Sequence, residues 1–157
     1  MGKPNNILLT RIDNRLIHGQ IVGNWAGTVG ANLIVVCDDL VANSEVEQSV
    51  MRMAASTLGF DSRFFTVQKT IDVIANASSN QKILLVCRTP ETLRKLIEGG
   101  VDIKKVNIGN LHFAPGKEQI GNKAYVSEQE KKDLDFIKKN VDEIFVQDTP
   151  DFKREEY

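Results

Sequence analysis

Residues able to do chemistry crowd into one short stretch, Thr10-Arg11-Ile12-Asp13-Asn14-Arg15-Leu16-Ile17-His18-Gly19-Gln20. One histidine stands there with two arginines and one aspartate within seven positions. A neutral imidazole nitrogen can attack phosphorus, and guanidinium groups can balance the charge on phosphoryl oxygens. His18 is therefore the candidate nucleophile. Arg15, three residues before it, is the first candidate partner for the phosphoryl oxygens, and Arg11 the second. Asp13 has two readings: a carboxylate that orients the imidazole through its second N–H, or half of an Asp-Asn turn.

Local context says how such a loop would be held. The apolar run Ile7-Leu8-Leu9 precedes it, and a helical pattern starts near Gln20. A strand-to-helix turn would set His18 beside unpaired N–H groups at a helix start, which favour anions. The same apolar and helical alternation runs along the whole chain. Strands are expected at Asn6–Ile12, Asn32–Asp38, Ser62–Val67, Lys82–Arg88, Lys105–Ile108, Lys123–Val126 and Glu143–Gln147. Leu33-Ile34-Val35-Val36 and Ile83-Leu84-Leu85-Val86 are apolar throughout, as in strands covered on both faces. Helices are expected between them. One spans Gln20–Val29. One is capped by Ser44 with Glu47 three residues on, and Val46, Val50, Met53 and Thr57 recur along it at helical spacing. Others cover Gln68–Ala77, a segment capped by Thr89 with Pro90 at its first position, and one from Ser127 with Glu130 three on to about Asn140. This order predicts an α/β fold, a three-layer doubly wound domain around a mainly parallel sheet of six or seven strands. A single domain over residues 1–157 is expected, with a charged tail from about Thr149 loosely ordered.

In such sheets ligands gather outside the carboxyl ends of the strands. Arg11, Asp13, Arg15 and His18 follow the first strand, Asp38-Asp39 the second, Arg88-Thr89 the fourth and Gly109-Asn110 the fifth. His112 lies in the same loop region, to shape the pocket or to act as a second functional histidine. Asp38 and Asp39 could hint at magnesium, but nothing else in the sequence supplies a cluster of ligands, and no metal or organic cofactor is expected. No glycine-rich phosphate loop of the dinucleotide or Walker type occurs. Trp25 reads as a core aromatic, with an interface anchor as the alternative.

Composition excludes other classes. A formal net charge of −1 gives no basic field for nucleic acid. The apolar runs are strand-sized and too short for a membrane span. Residues 1–6 lack the apolar core of a signal peptide, and Asn6 stands where a myristoylation signal needs Ser or Thr. Two cysteines without such a signal read as reduced core residues of a cytoplasmic protein.

The stretch Arg11–Gln20 resembles the active-site loop of IIB subunits of the mannose class of sugar phosphotransferase systems. The likeness continues through Trp25, Gly30–Val36, Asp38-Asp39, Lys82–Leu84, Glu98–Val101 and Asn107–Asn110. Asn6–Thr10, Arg63–Thr66, Cys87–Pro90, Leu111–Phe113 and Gln147-Asp148 are most like the N-acetylgalactosamine and galactosamine subgroup. The resemblance implies a phosphoryl carrier. His18 would accept the group from a phosphohistidine IIA protein and pass it to a sugar translocated by membrane IIC/IID subunits, with the chain peripherally associated with that transporter. The alternative of a different class is a receiver-type signalling module with an acidic magnesium site. It wants an aspartate ending the third strand, where Phe64-Phe65-Thr66-Val67 stands instead.

Overall fold

The computed structural model describes residues 6–157. The signal-peptide and myristoylation readings fall on residues 1–6, of which 1–5 lie outside the described residues. In chain order the elements are β1 (Ile7–Asp13), α1 (Ile21–Val29), β2 (Leu33–Cys37), α2 (Asp39–Ala42), α3 (Glu45–Thr57), β3 (Asp61–Phe65), α4 (Val67–Val73), β4 (Ile83–Cys87), α5 (Pro90–Glu98), β5 (Lys105–Asn110), β6 (Glu118–Gly121), β7 (Ala124–Val126), α6 (Glu128–Asn140), β8 (Glu143–Val146) and β9 (Glu155–Glu156).

Seven strands form one sheet in the order β3-β2-β4-β1-β5-β8-β9. The first six in that order run parallel, and β9 closes the edge antiparallel to β8. The reason is visible in the strands themselves. β2 and β4 are buried at every position, so both faces of each must be covered. On one face Val35, Leu85, Ile12 and Ile108 pack with Leu93 and Leu96 of α5 and Leu134 and Ile137 of α6. On the other Ile34, Leu84, Val86 and Leu9 pack with Val22, Trp25 and Ala26 of α1, Val41 of α2 and Ala55 of α3. Three layers result, as expected. Ser44, Thr89 and Ser127 cap their helices, and the Ser127–Glu130 pair forms both bonds of a capping box.

Four expectations need correction. Lys123–Val126 is not a strand of the main sheet: Ala124–Val126 pairs antiparallel with β6 in a separate hairpin. Its residues alternate in burial, the mark of a half-exposed strand, unlike the continuous apolar runs at the sheet centre. The seventh strand comes from the tail, where Glu155–Glu156 pairs with β8 and the Tyr157 hydroxyl donates to Asp135 at 2.7 Å. The helix expected over Gln68–Ala77 ends at Val73 and tightens into a 3-10 turn over Ile74–Asn76. Finally, the spaced apolar residues of α3 do not face the core. Val46, Val50 and Met53 are 76%, 66% and 71% exposed. The helix packs inward through Ala55, Met51 and Ala54 instead. Spacing marks a face but not the side on which the sheet lies.

Cys37 and Cys87 are register partners on neighbouring strands, both buried and both free. Contact with Cys37, together with burial, pushes the Cys87 thiol up and keeps it protonated. Titration of the unfolded chain in the absence of reductant should find two thiols. Finding none would overturn the reading of these cysteines as reduced core residues.

Candidate active site

Parallel strands send their carboxyl ends to one rim, and the loop from Asn14 to Gln20 lies on it after central strand β1. Its shape departs from ordinary turns in one residue. Leu16 has φ +57°, a left-handed conformation that costs a residue with a Cβ about 1–2 kcal/mol. Its side chain is fully buried beside Val22 and Trp25, and its N–H donates to the Asp13 carbonyl at 3.0 Å. Burial of a leucine offsets that strain at about 1.5–3 kcal/mol. The chain thus reverses over a sunken Leu16, and His18 follows two residues later, half-buried at the rim. Its Nδ1 lies 3.3 Å from the Leu16 carbonyl, and its Nε2 is buried with no hydrogen-bond partner among the described residues. A neutral ring keeps a lone pair on one of these nitrogens, which is what attack on phosphorus requires.

Arg15 is exposed and enters no ion pair with the described residues. It stands in the tight turn before His18 with its charge unspent. Arg11 is the opposite case, and its expected role as a second phosphoryl partner does not survive its position. Its guanidinium is wholly buried. Nε and Nη2 donate to Asp13 Oδ2 at 3.2 and 3.1 Å, and Nη1 donates to Asn107 Oδ1 and the Gln147 carbonyl. Asp148 stands 3.7 Å away. Burial lowers the Arg11 pKa while Asp13 raises it again. Gly109 makes the space: a Cβ there would collide with the guanidinium.

Asp13 is also reassigned. It makes no bond to the imidazole. One oxygen takes the two Arg11 bonds, and the other accepts the Arg15 N–H at 2.9 Å. The carboxylate therefore ties a buried cation to the backbone of the exposed loop, and the turn reading of Asp13 is nearer the observed geometry. Trp25 belongs to the core, 4% exposed, and donates Nε1–H to the Asp148 carbonyl at 2.9 Å.

Two residues organise the rim that sequence reading left without a role. Asn14, which itself follows β1, bonds to the ends of two other strands, β4 and β5. Its N–H donates to the Asn110 carbonyl at 2.8 Å, and its Nδ2 to the Arg88 carbonyl at 2.7 Å. Its Oδ1 accepts the His112 N–H at 2.7 Å, and its carbonyl accepts Arg88 Nη1 at 3.1 Å. Arg88 in turn pairs with Asp38 through Nε at 3.2 Å and Nη2 at 3.3 Å. The signal for both was their place at strand ends; nothing in their spacing announced a pairing 74 or 50 positions away. Asp38 is further used by the Val41 N–H as a helix cap, and Asp39 accepts the Val67 N–H. These carboxylates are engaged in holding loops together, so the magnesium-dependent signalling alternative gains no support. His112 is exposed and reaches the site through its backbone.

Comparison with known proteins finds relatives over nearly the whole chain. A family model described as "PTS system sorbose subfamily IIB component" matches residues 7–156. The N-acetylgalactosamine-specific phosphotransferase enzyme IIB component 1 of Escherichia coli K12 is 56% identical over 156 residues, covering 99% of this chain and 98% of that protein. The crystal structure of the N-acetylgalactosamine-specific IIB component 1 from Escherichia coli superimposes with a TM-score of 0.93, covering 97% of this chain and 99% of that one at 56% identity. A PTS-dependent N-acetylgalactosamine IIB component from Streptococcus pyogenes has a TM-score of 0.85 at 34% identity, covering 98% and 93%.

Proposed function

The chain belongs to the sorbose subfamily of IIB components of the sugar phosphotransferase system, and on that premise we propose that His18 is the residue that carries the phosphoryl group and that the sugar is N-acetylgalactosamine or galactosamine. Phosphotransfer in sugar uptake is the activity of this family, and IIB components of the mannose class work with IIA and IIC/IID partners. The observation that carries the assignment is the loop itself: a half-buried imidazole on the carboxyl rim, two residues after a strained and buried Leu16, with the exposed cation Arg15 in the same turn.

In the first step a neutral His18 nitrogen attacks the phosphorus of a phosphohistidine on the IIA partner. The new N–P bond forms as the donor's N–P bond breaks, the proton on the other nitrogen of the His18 ring is given up as the donor ring takes up one, and the donor leaves as a neutral imidazole. In the second step a hydroxyl of the sugar attacks the same phosphorus, an O–P bond replaces the N–P bond, and the His18 ring, the net acceptor of the hydroxyl proton, leaves as a neutral imidazole. Both steps demand alignment and charge neutralisation more than covalent assistance. Alignment comes from Asn14, which holds the β1, β4 and β5 loops as one surface. Charge neutralisation falls to Arg15. Arg11 and Asp13 act at a distance: their buried pair fixes the Arg15 backbone. The sugar specificity rests on the names of the relatives. No helix among the described residues is long and apolar enough to cross a membrane, and the chain is proposed to meet the membrane only through its IIC/IID partners.

The test is transfer of labelled phosphate from a phosphorylated IIA protein, with mapping of the labelled peptide. Acid-labile, base-stable label on the peptide holding His18 is expected. Label elsewhere, or an acid-stable adduct, would overturn the proposal. Arg15→Glu should slow phosphoryl acceptance about 10²–10³-fold, roughly 3–4 kcal/mol of transition-state stabilisation. Its exposed position keeps the stability change within about 0.5 kcal/mol. A collapsed melting temperature with normal transfer by the remaining folded protein would make Arg15 structural.

A further inference from the structure

The peptide between Asn14 and Arg15 is gripped at both of its polar ends. Its N–H donates to Asp13 Oδ1 at 2.9 Å, and its carbonyl accepts Arg88 Nη1 at 3.1 Å. An anion at the N–H and a cation at the carbonyl both favour one orientation of the planar unit, and such charge-assisted bonds are roughly twice as strong as neutral ones. Asp13 is anchored in the interior by Arg11, and Arg88 is anchored on the rim by Asp38. We propose that Arg88 is a positioning residue for phosphoryl transfer, acting through this peptide to aim Arg15 at the group on His18. The proposal rests on the reading of His18 as the carrier and Arg15 as its neutralising cation.

Sheet register puts Arg88 in reach of both sides. β4 lies between β2 and β1, and Cys87 is the register partner of Cys37 on one side and of Ile12 on the other. Arg88, the first residue past β4, therefore has the ends of β2 and β1 on its two flanks. It takes Asp38 from the first and the Asn14 carbonyl from the second. The tie to Asn14 is reciprocal, since Asn14 Nδ2 donates to the Arg88 carbonyl at 2.7 Å. Asp38 is itself fixed: its Oδ2 accepts the Val41 N–H at 3.1 Å, and its own N–H donates to the Phe65 carbonyl at 3.0 Å. A rigid line thus runs from β3 through β2 and β4 to the His18 loop. The three nitrogens of Arg88 are all engaged, and its charge is matched by a carboxylate that is 9% exposed. Arg15 is the contrary case, exposed and outside the ion pairs of the described residues. Its reach begins wherever the peptide before it sets its Cα, and a planar peptide held at both ends sets that point. Arg88 is placed to hold, and Arg15 to act.

Single-turnover acceptance of phosphate from a phosphorylated IIA protein tests this, with rates expressed per folded molecule from circular dichroism. Arg88→Ala should slow the step at saturating donor about 10–10²-fold, the scale of a misplacement near 1 Å. Half-saturation by the donor should stay within about twofold. Arg88→Lys keeps the charge but loses the planar fork, and should remain slow. Asp38→Asn keeps an oxygen for the Val41 N–H but loosens Arg88, and should slow the step about three- to tenfold. In an Arg15→Ala background, Arg88→Ala should cost less than about twofold more, because nothing is left to aim. A normal rate in Arg88→Ala would overturn the proposal, and so would restoration by lysine. A change confined to donor half-saturation would make Arg88 a docking contact instead. Full additivity with Arg15→Ala, or a faster Asp38→Asn, would make it a direct contact of the phosphoryl group. If Arg88→Ala does not fold, Asp38→Asn and Arg88→Lys decide in its place. Label away from His18, or normal transfer by Arg15→Ala, would overturn the underlying reading and this role together. A slow Arg15→Ala beside a normal Arg88→Ala overturns this role alone.

Discussion

His18→Ala is expected to fold normally and to accept no phosphoryl label at all. The imidazole contributes one long contact to the Leu16 carbonyl and is only half-buried. Its loss should therefore cost no more than about 1 kcal/mol of stability. The turn that presents it is held by other groups: the buried Leu16 side chain, the Asp13–Arg15 bond and the Asn14 bonds to neighbouring loops. Transfer has no substitute nucleophile in the same loop. His112→Ala serves as the comparison, since that exposed residue touches the site through its backbone N–H, which alanine retains. Label lost in His112→Ala and kept in His18→Ala would reverse the assignment. A His18→Ala protein that fails to fold would make the imidazole a structural element of the rim.

Asp13→Ala is expected to have the largest effect on stability, a loss of about 3–5 kcal/mol, because it strands the buried Arg11 charge. Arg11 keeps Asn107 and the Gln147 carbonyl, but its one close carboxylate goes and Asp148 remains at 3.7 Å. Urea unfolding reads this as a lower midpoint with an unchanged slope. Removing both charges in Arg11→Met/Asp13→Ala should return part of the loss, since an apolar side chain does not need a counter-charge in the interior. The folded fraction of Asp13→Ala should also transfer more slowly, as the Arg15 N–H loses its anchor. An Asp13→Ala protein as stable as wild type would mean that the pair does not hold the loop.

Much of this molecule is open to reading from residue order alone. Leu33–Cys37 and Ile83–Cys87 are apolar at successive positions and five residues long, which suits a strand covered on both faces. Ser44, Thr89 and Ser127 sit where helices start because a hydroxyl can take up an otherwise unpaired N–H. Those two local rules place the strands, the helices and so the His18 loop at a strand end. What they do not carry is direction. Val46, Val50 and Met53 form a stripe whether it faces a sheet or water, and here it faces water. Arg11 and Arg15 look equivalent four residues apart in the sequence, yet in β1 one side chain turns into the interior against Asp13 and Asn107 while the other stays in the open turn. Asn14 carries no signal of its role, because its partners Arg88, Asn110 and His112 are 74 to 98 positions distant. The residue order by itself determines the elements and the carboxyl-rim loop that holds His18, since these depend on neighbours within a few residues. Which arginine is spent inside and which stays exposed in the turn was decided only when the parallel strands came together, because burying a charge requires partners that the chain supplies from far away.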